Sequence, residues 1–122
     1  MLDANQIILM TVTISHNPRC SNSRGALELI REAGIEPVVV DYLSAPPSRD
    51  EVRKMISDAG LSVREAMRPK EAAYLELGLA TAPEEALLEA IAAHPVLLNR
   101  PFVVTEKGTR LCRPPELVRE IL

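Results

Sequence analysis

The stretch Thr11-Val12-Thr13-Ile14-Ser15-His16-Asn17-Pro18-Arg19-Cys20-Ser21-Asn22-Ser23-Arg24 decides the reading of this chain. Its first third is β-branched and continues the apolar run Ile7 to Met10, so residues near Ile7 to Ser15 read as a first strand. The polar segment His16 to Cys20 reads as a loop. After it, Ala26, Leu27, Ile30, Arg31 and Ala33 recur at helical spacing, and Gly34 supplies a stop. Pro37 to Val40 follows as a second strand, whose unbroken Val38-Val39-Val40 suits burial on both faces. Strand, helix and strand at this spacing make a right-handed βαβ unit. A cysteine stands where its strand meets its helix.

Pro46-Pro47 closes that unit, and the chain then reads as helical over about residues 48–93. Three capping-box patterns mark helix starts: Ser48-x-x-Glu51, Ser62-x-x-Glu65 and Thr81-x-x-Glu84, the last with Pro83 inside its first turn. His94-Pro95 breaks the helical run. Phe102 to Thr105 reads as a strand, Glu106-Lys107-Gly108 as a tight turn, and Thr109 to Cys112 as the hairpin partner. Pro114-Pro115-Glu116 then opens a final helix carrying Leu117, Val118, Ile121 and Leu122. The order is β-α-β, an all-helical block, then β-β-α. That is an α/β, thioredoxin-like (glutaredoxin-like) mixed sheet with a helical insertion between its two halves.

Composition narrows the function. The 122 residues suit a single domain spanning 1–122, with residues 1–10 a possible start before Met10 rather than part of the fold. Aromatics are 2%, which disfavours a base-stacking nucleic-acid module, and a net charge of −3 disfavours a phosphate-backbone binder. No apolar stretch approaches the ~18 residues of a membrane span. Two cysteines, Cys20 and Cys112, are too few for a disulfide framework or a four-ligand zinc site. The expectation is a cytoplasmic monomer that binds neither nucleic acid nor membrane, and holds no metal.

An unpaired cysteine ordinarily packs as a small hydrophobe. Cys20 sits instead among Asn17, Pro18, Arg19, Ser21, Asn22 and Ser23, at the start of a helix. The unpaired N–H groups and positive dipole end there stabilise a thiolate, and Arg19, Arg24 and His16 stand close in sequence. The motif is C-x-x-S, so no local disulfide can form; Ser23 can hydrogen-bond the thiolate instead. Cys112 could resolve it in principle, but just before Arg113-Pro114 it reads as core packing, and an external small thiol is the more natural resolver. The helix start also suits an oxyanion, for which arginines are the natural partners. Arg68, Arg100 and Arg113, each followed by proline, lie off the amphipathic helix faces, though no spacing rule selects them.

His16-Asn17-Pro18-Arg19-Cys20-Ser21-Asn22-Ser23-Arg24 resembles the H-N-P-x-C-x-x-S-R signature of the glutaredoxin-linked arsenate reductase (ArsC) family. Tyr42-Leu43 with Pro46-Pro47-Ser48-Arg49, the segment Val63 to Arg68, His94 to Pro101 and Gly108 to Pro115 follow the same family in order. The resemblance implies a thioredoxin-like fold, Cys20 as nucleophile, and Arg68, Arg100 and Arg113 as catalytic, oxyanion-binding arginines. It makes His16 and Ser23 supports of the thiolate and gives Pro101 the place of a cis-proline. It further implies arsenate as substrate, glutathione as co-substrate, glutaredoxin as partner and no bound cofactor. Ser21-Asn22 departs from the Gly-Thr pair of the best-known plasmid-borne members. Two other classes compete. A regulator like the Spx proteins would bind RNA polymerase, but those carry C-x-x-C. A monothiol glutaredoxin-like carrier would not need three arginines.

Overall fold

The computed structural model describes residues 11–122; the expected strand start at Ile7 and the extension before Met10 lie outside the described residues. The chain divides into two compact units. One comprises the residues through Asp41 together with Arg100–Leu122, and the other is Tyr42–Asn99.

The first unit holds β1 (Thr13–His16), α1 (Ser21–Glu32), β2 (Val38–Asp41), β3 (Phe102–Thr105) and β4 (Gly108–Leu111), then a 3-10 helix over Pro115–Ile121. The strands form one mixed sheet in the order β2-β1-β3-β4. β1 and β2 are parallel, with Ile14 opposite Val39, and α1 supplies the crossover that parallel neighbours require. β3 runs antiparallel to β1 and β4. This is the thioredoxin-like layout read from the sequence. α1 ends as expected, its last turn closing at Ala33 and Gly34 taking a positive φ of 83°, which glycine adopts without a Cβ penalty.

Val12, Ile14, Ala26, Ile30, Val103, Cys112, Val118 and Ile121 form the core of this unit. Each large aliphatic side chain so buried contributes about 1.5–3 kcal/mol. Two expectations fail here. β2 is an edge strand, with Val38 53% and Val39 42% exposed, so the valine run reflects β propensity and not burial on both faces. The terminal helix is 3-10 throughout and buries Val118 and Ile121. It packs on α1 so closely that a Cβ on Gly25 would lie 3.0 Å from Pro115 Cγ.

The second unit contains α2 (Arg49–Asp58), α3 (Ala72–Glu76) and α4 (Glu84–Ala93), with 3-10 turns at Arg64–Ala66, Leu79–Thr81 and Pro95–Leu97. α2 and α4 pack together, burying Val52 and Ile56 from one and Leu87, Leu88 and Ile91 from the other. The Ser48–Glu51 capping box is complete, each residue's side chain accepting the other's N–H at 3.2 Å. Ser62 and Glu65 make the same reciprocal bonds but open only a single 3-10 turn. The Thr81 box does not form. Pro83 forces Ala82 into an extended conformation, so α4 starts at Glu84 with Pro83 as its cap. Arg64 ties the unit's turns together, donating to Tyr74 Oη at 2.8 Å, Leu79 O at 3.0 Å and Ala82 O at 2.9 Å. Among the described residues no helix is long and apolar enough to cross a membrane.

Candidate active site

Cys20 is the N-cap of α1, extended at φ −94° and ψ 122°, in the turn that leaves the end of β1. Asn17 builds that turn. Its carbonyl accepts the Cys20 N–H at 3.0 Å and its side-chain oxygen accepts the Arg19 N–H at 3.0 Å. Cys20 makes no side-chain cap hydrogen bond, but as the cap residue its sulfur faces the first unpaired amides of the helix. Partial burial pushes the Cys20 thiol up. The Ser23 N–H, the Arg100 guanidinium, the Asn22 N–H and the Arg113 guanidinium together outweigh it, and the net result is a thiol below its ordinary range.

The hairpin delivers both arginines. Phe102 pairs with Leu111 and Val103 with Arg110, so the same register carried outward sets Arg100 opposite Arg113. Ser15 pairs with Phe102 across β1 and β3, which brings the open end of the hairpin to the end of β1, where the Cys20 loop begins. Arg113 Nη1 donates to the Arg100 carbonyl at 2.9 Å and lies 3.6 Å from Cys20 Sγ. The Arg100–Pro101 bond is cis, as the resemblance implied, and so is Arg113–Pro114, which the sequence did not signal.

His16 and Ser23 differ from expectation. The Ser23 hydroxyl bonds His16 Nδ1 at 2.7 Å and accepts the Asn17 N–H at 3.0 Å, so it is the backbone N–H of Ser23 that serves the sulfur. His16 thus meets the Ser23 hydroxyl and not the sulfur. Burial, with Arg31 and Arg24, holds its pKa below the usual value against the opposing pull of Asp41, so the ring is neutral near pH 7. Asn22 is a site residue that sequence reasoning passed over. Its carboxamide faces the Arg113 guanidinium with one heavy atom 3.2 Å from each Nη; only oxygen can accept there, and it takes both N–H groups.

The family model described as the ArsC family matches residues 15–121. The chain belongs to the ArsC family. The arsenate reductase of Rhizobium meliloti (strain 1021) is 57% identical over 115 residues, covering 93% of this chain and 82% of that protein. An arsenate reductase of Escherichia coli is 51% identical over 116 residues with the same coverage. Among solved structures, an arsenate reductase from Vibrio cholerae superposes with a TM-score of 0.89 at 46% identity, covering 93% of this chain and 98% of that one.

Of the four residues that the ArsC resemblance makes catalytic, Cys20, Arg100 and Arg113 meet in the first unit. Arg68 belongs to the second. There its backbone N–H donates to Leu97 O at 2.8 Å, and its side chain donates to Asn99 Oδ1 at 3.1 Å and to Glu71 Oε1 at 3.3 Å. Cys112 is fully buried in the core, its thiol pushed up to about 12 by burial, with Sγ 3.7 Å from the Arg110 carbonyl.

Proposed function

We propose that this enzyme reduces arsenate to arsenite with Cys20 as nucleophile, Arg100 and Arg113 as oxyanion partners, the oxyanion-binding role for Arg68 that the ArsC resemblance implies, and glutathione and glutaredoxin as electron donors. One observation carries the assignment of roles. A thiol held below its ordinary pKa at a helix N-terminus has an arginine Nη 3.6 Å from its sulfur, in a chain 57% identical to an arsenate reductase. A thiolate attacks arsenic(V) well, and guanidinium groups stabilise the charge on the surrounding oxygens as the bond forms.

The chemistry balances with thiols alone. The Cys20 thiolate forms a sulfur–arsenic bond as one arsenate oxygen leaves as water. Glutathione thiolate enters a second arsenic position with loss of a second water. Glutaredoxin thiolate then attacks the glutathione sulfur, leaving a mixed disulfide, and the electron pair of that sulfur–arsenic bond reduces arsenic(V) to arsenic(III). Water cleaves the remaining bond, releasing arsenite and the Cys20 thiol. Both electrons come from the two external thiols, so this reading requires no resident cofactor.

The test is NADPH consumption coupled through glutathione reductase, glutathione and glutaredoxin. Turnover should depend on arsenate and on both thiol components. Arsenate-independent reduction of a small disulfide would favour a glutaredoxin-like carrier and overturn this reading.

A further inference from the structure

Arg113 is a long side chain with about 2 kcal/mol of rotamer freedom, yet it must hold its guanidinium plane beside one sulfur atom. Two contacts fix it. The Arg100 carbonyl takes Nη1 from the hairpin side, and the Asn22 carboxamide oxygen, from the first turn of α1, lies 3.2 Å from both Nη atoms. Asn22 rides on the helix that Cys20 caps, so the contact ties guanidinium and sulfur to a single rigid element. The Nε–H and the second Nη2 hydrogen of Arg113 make no hydrogen bond among the described residues and can donate to an incoming oxyanion. We propose that Asn22 is a positioning residue, setting the plane of Arg113 over Cys20 and thereby the place where an arsenate oxygen is received. The inference rests on the arsenate-reductase reading for its substrate, and on this chain's own departure at Ser21-Asn22 for its residue.

The physical alternative is that Asn22 merely occupies the second position of α1, where its N–H faces the sulfur. Alanine keeps that N–H and is a good helix former, so Asn22→Ala removes the side-chain contact alone. In the coupled assay, Asn22→Ala should raise KM for arsenate about tenfold, the scale of one charge-assisted hydrogen bond, with a smaller change in kcat. In an Arg113→Ala background the same substitution should add almost nothing, because the residue it positions is gone. A second readout needs no arsenate: the pH dependence of Cys20 alkylation by iodoacetamide should shift upward in Asn22→Ala, and not in the Arg113→Ala background. Thermal melts matching wild type establish that the variants are folded. Equal effects of Asn22→Ala with and without Arg113, or wild-type KM and alkylation profile, would overturn the proposal. A shifted alkylation profile in a protein with no arsenate turnover would instead sink the functional reading and leave the positioning role standing.

Discussion

The two cysteines stand at opposite ends of what a fold can do to one functional group. Cys20 caps α1, faces amide N–H groups and two guanidinium groups, and is held below the ordinary thiol range despite its partial burial. Cys112 lies at neither a helix start nor a charge cradle but inside the aliphatic core, with Val103, Val118 and Ile121, where burial pushes it up to about 12. The residue after Cys112 is Arg113, which reaches Cys20 and not its own neighbour's thiol. Reactivity here follows from donors aimed at the sulfur, and proximity in sequence to an arginine supplies none of it.

The comparison can be broken most directly at the nucleophile. Cys20→Ser should lower arsenate turnover by at least about 10³-fold in the coupled assay, because a hydroxyl stays protonated where the thiol ionises. Retained turnover would move the chemistry to Cys112. Arg113→Ala comes next, with kcat/KM for arsenate falling about 10²-fold, the usual loss on removing one transition-state donor. It should also shift Cys20 alkylation to higher pH while leaving Cys112 unreactive until the chain unfolds, which mass spectrometry of the alkylated protein resolves.

A third prediction isolates Cys112. Its folded pKa is raised, so it adds no penalty below the unfolded thiol value near 8.5, and stability is lost as pH rises from there toward about 12. At pH 10 that loss is about 2 kcal/mol, read as a lower urea midpoint than at pH 8. In Cys112→Ala this component should vanish while arsenate turnover survives; abolished turnover would make Cys112 the resolving thiol. The smallest effect is expected at Gly25→Ala. Alanine favours the helix by about 1 kcal/mol, but its Cβ would press on the Pro115 ring at 3.0 Å, for a net loss of about 1 kcal/mol. Because Pro115 lies two residues beyond Arg113, a severalfold drop in kcat/KM should accompany it, measured in the same assay.

Much of the architecture was legible because it is local. Strand and turn residues around Phe102–Leu111, the Ser48 capping box and the Gly34 stop each carry their reason within a few residues. Where neighbours further along the chain decide, reading failed. The valines of β2 look like a buried strand until sheet order places them at an edge. Thr81 fails as a cap for a local reason instead: Pro83, two residues on, extends the backbone before it. The terminal segment looks α-helical in sequence, but it is a 3-10 helix packed on α1.

At the site the division is the same. Sequence alone determined that Cys20 would be a helix-capping thiol, because a polar loop between a strand and an amphipathic helix leaves amide donors pointing at whatever stands there. Only tertiary structure decided which groups reach it. Hairpin register sets Arg100 opposite Arg113, and the β1–β3 pairing carries both to the Cys20 turn. Side-chain hydrogen bonding assigned the Ser23 hydroxyl to His16 and Asn17, and brought Asn22 against Arg113. Contacts spanning 93 residues depend on strand pairing and packing geometry, which residue types near one another in the chain do not encode.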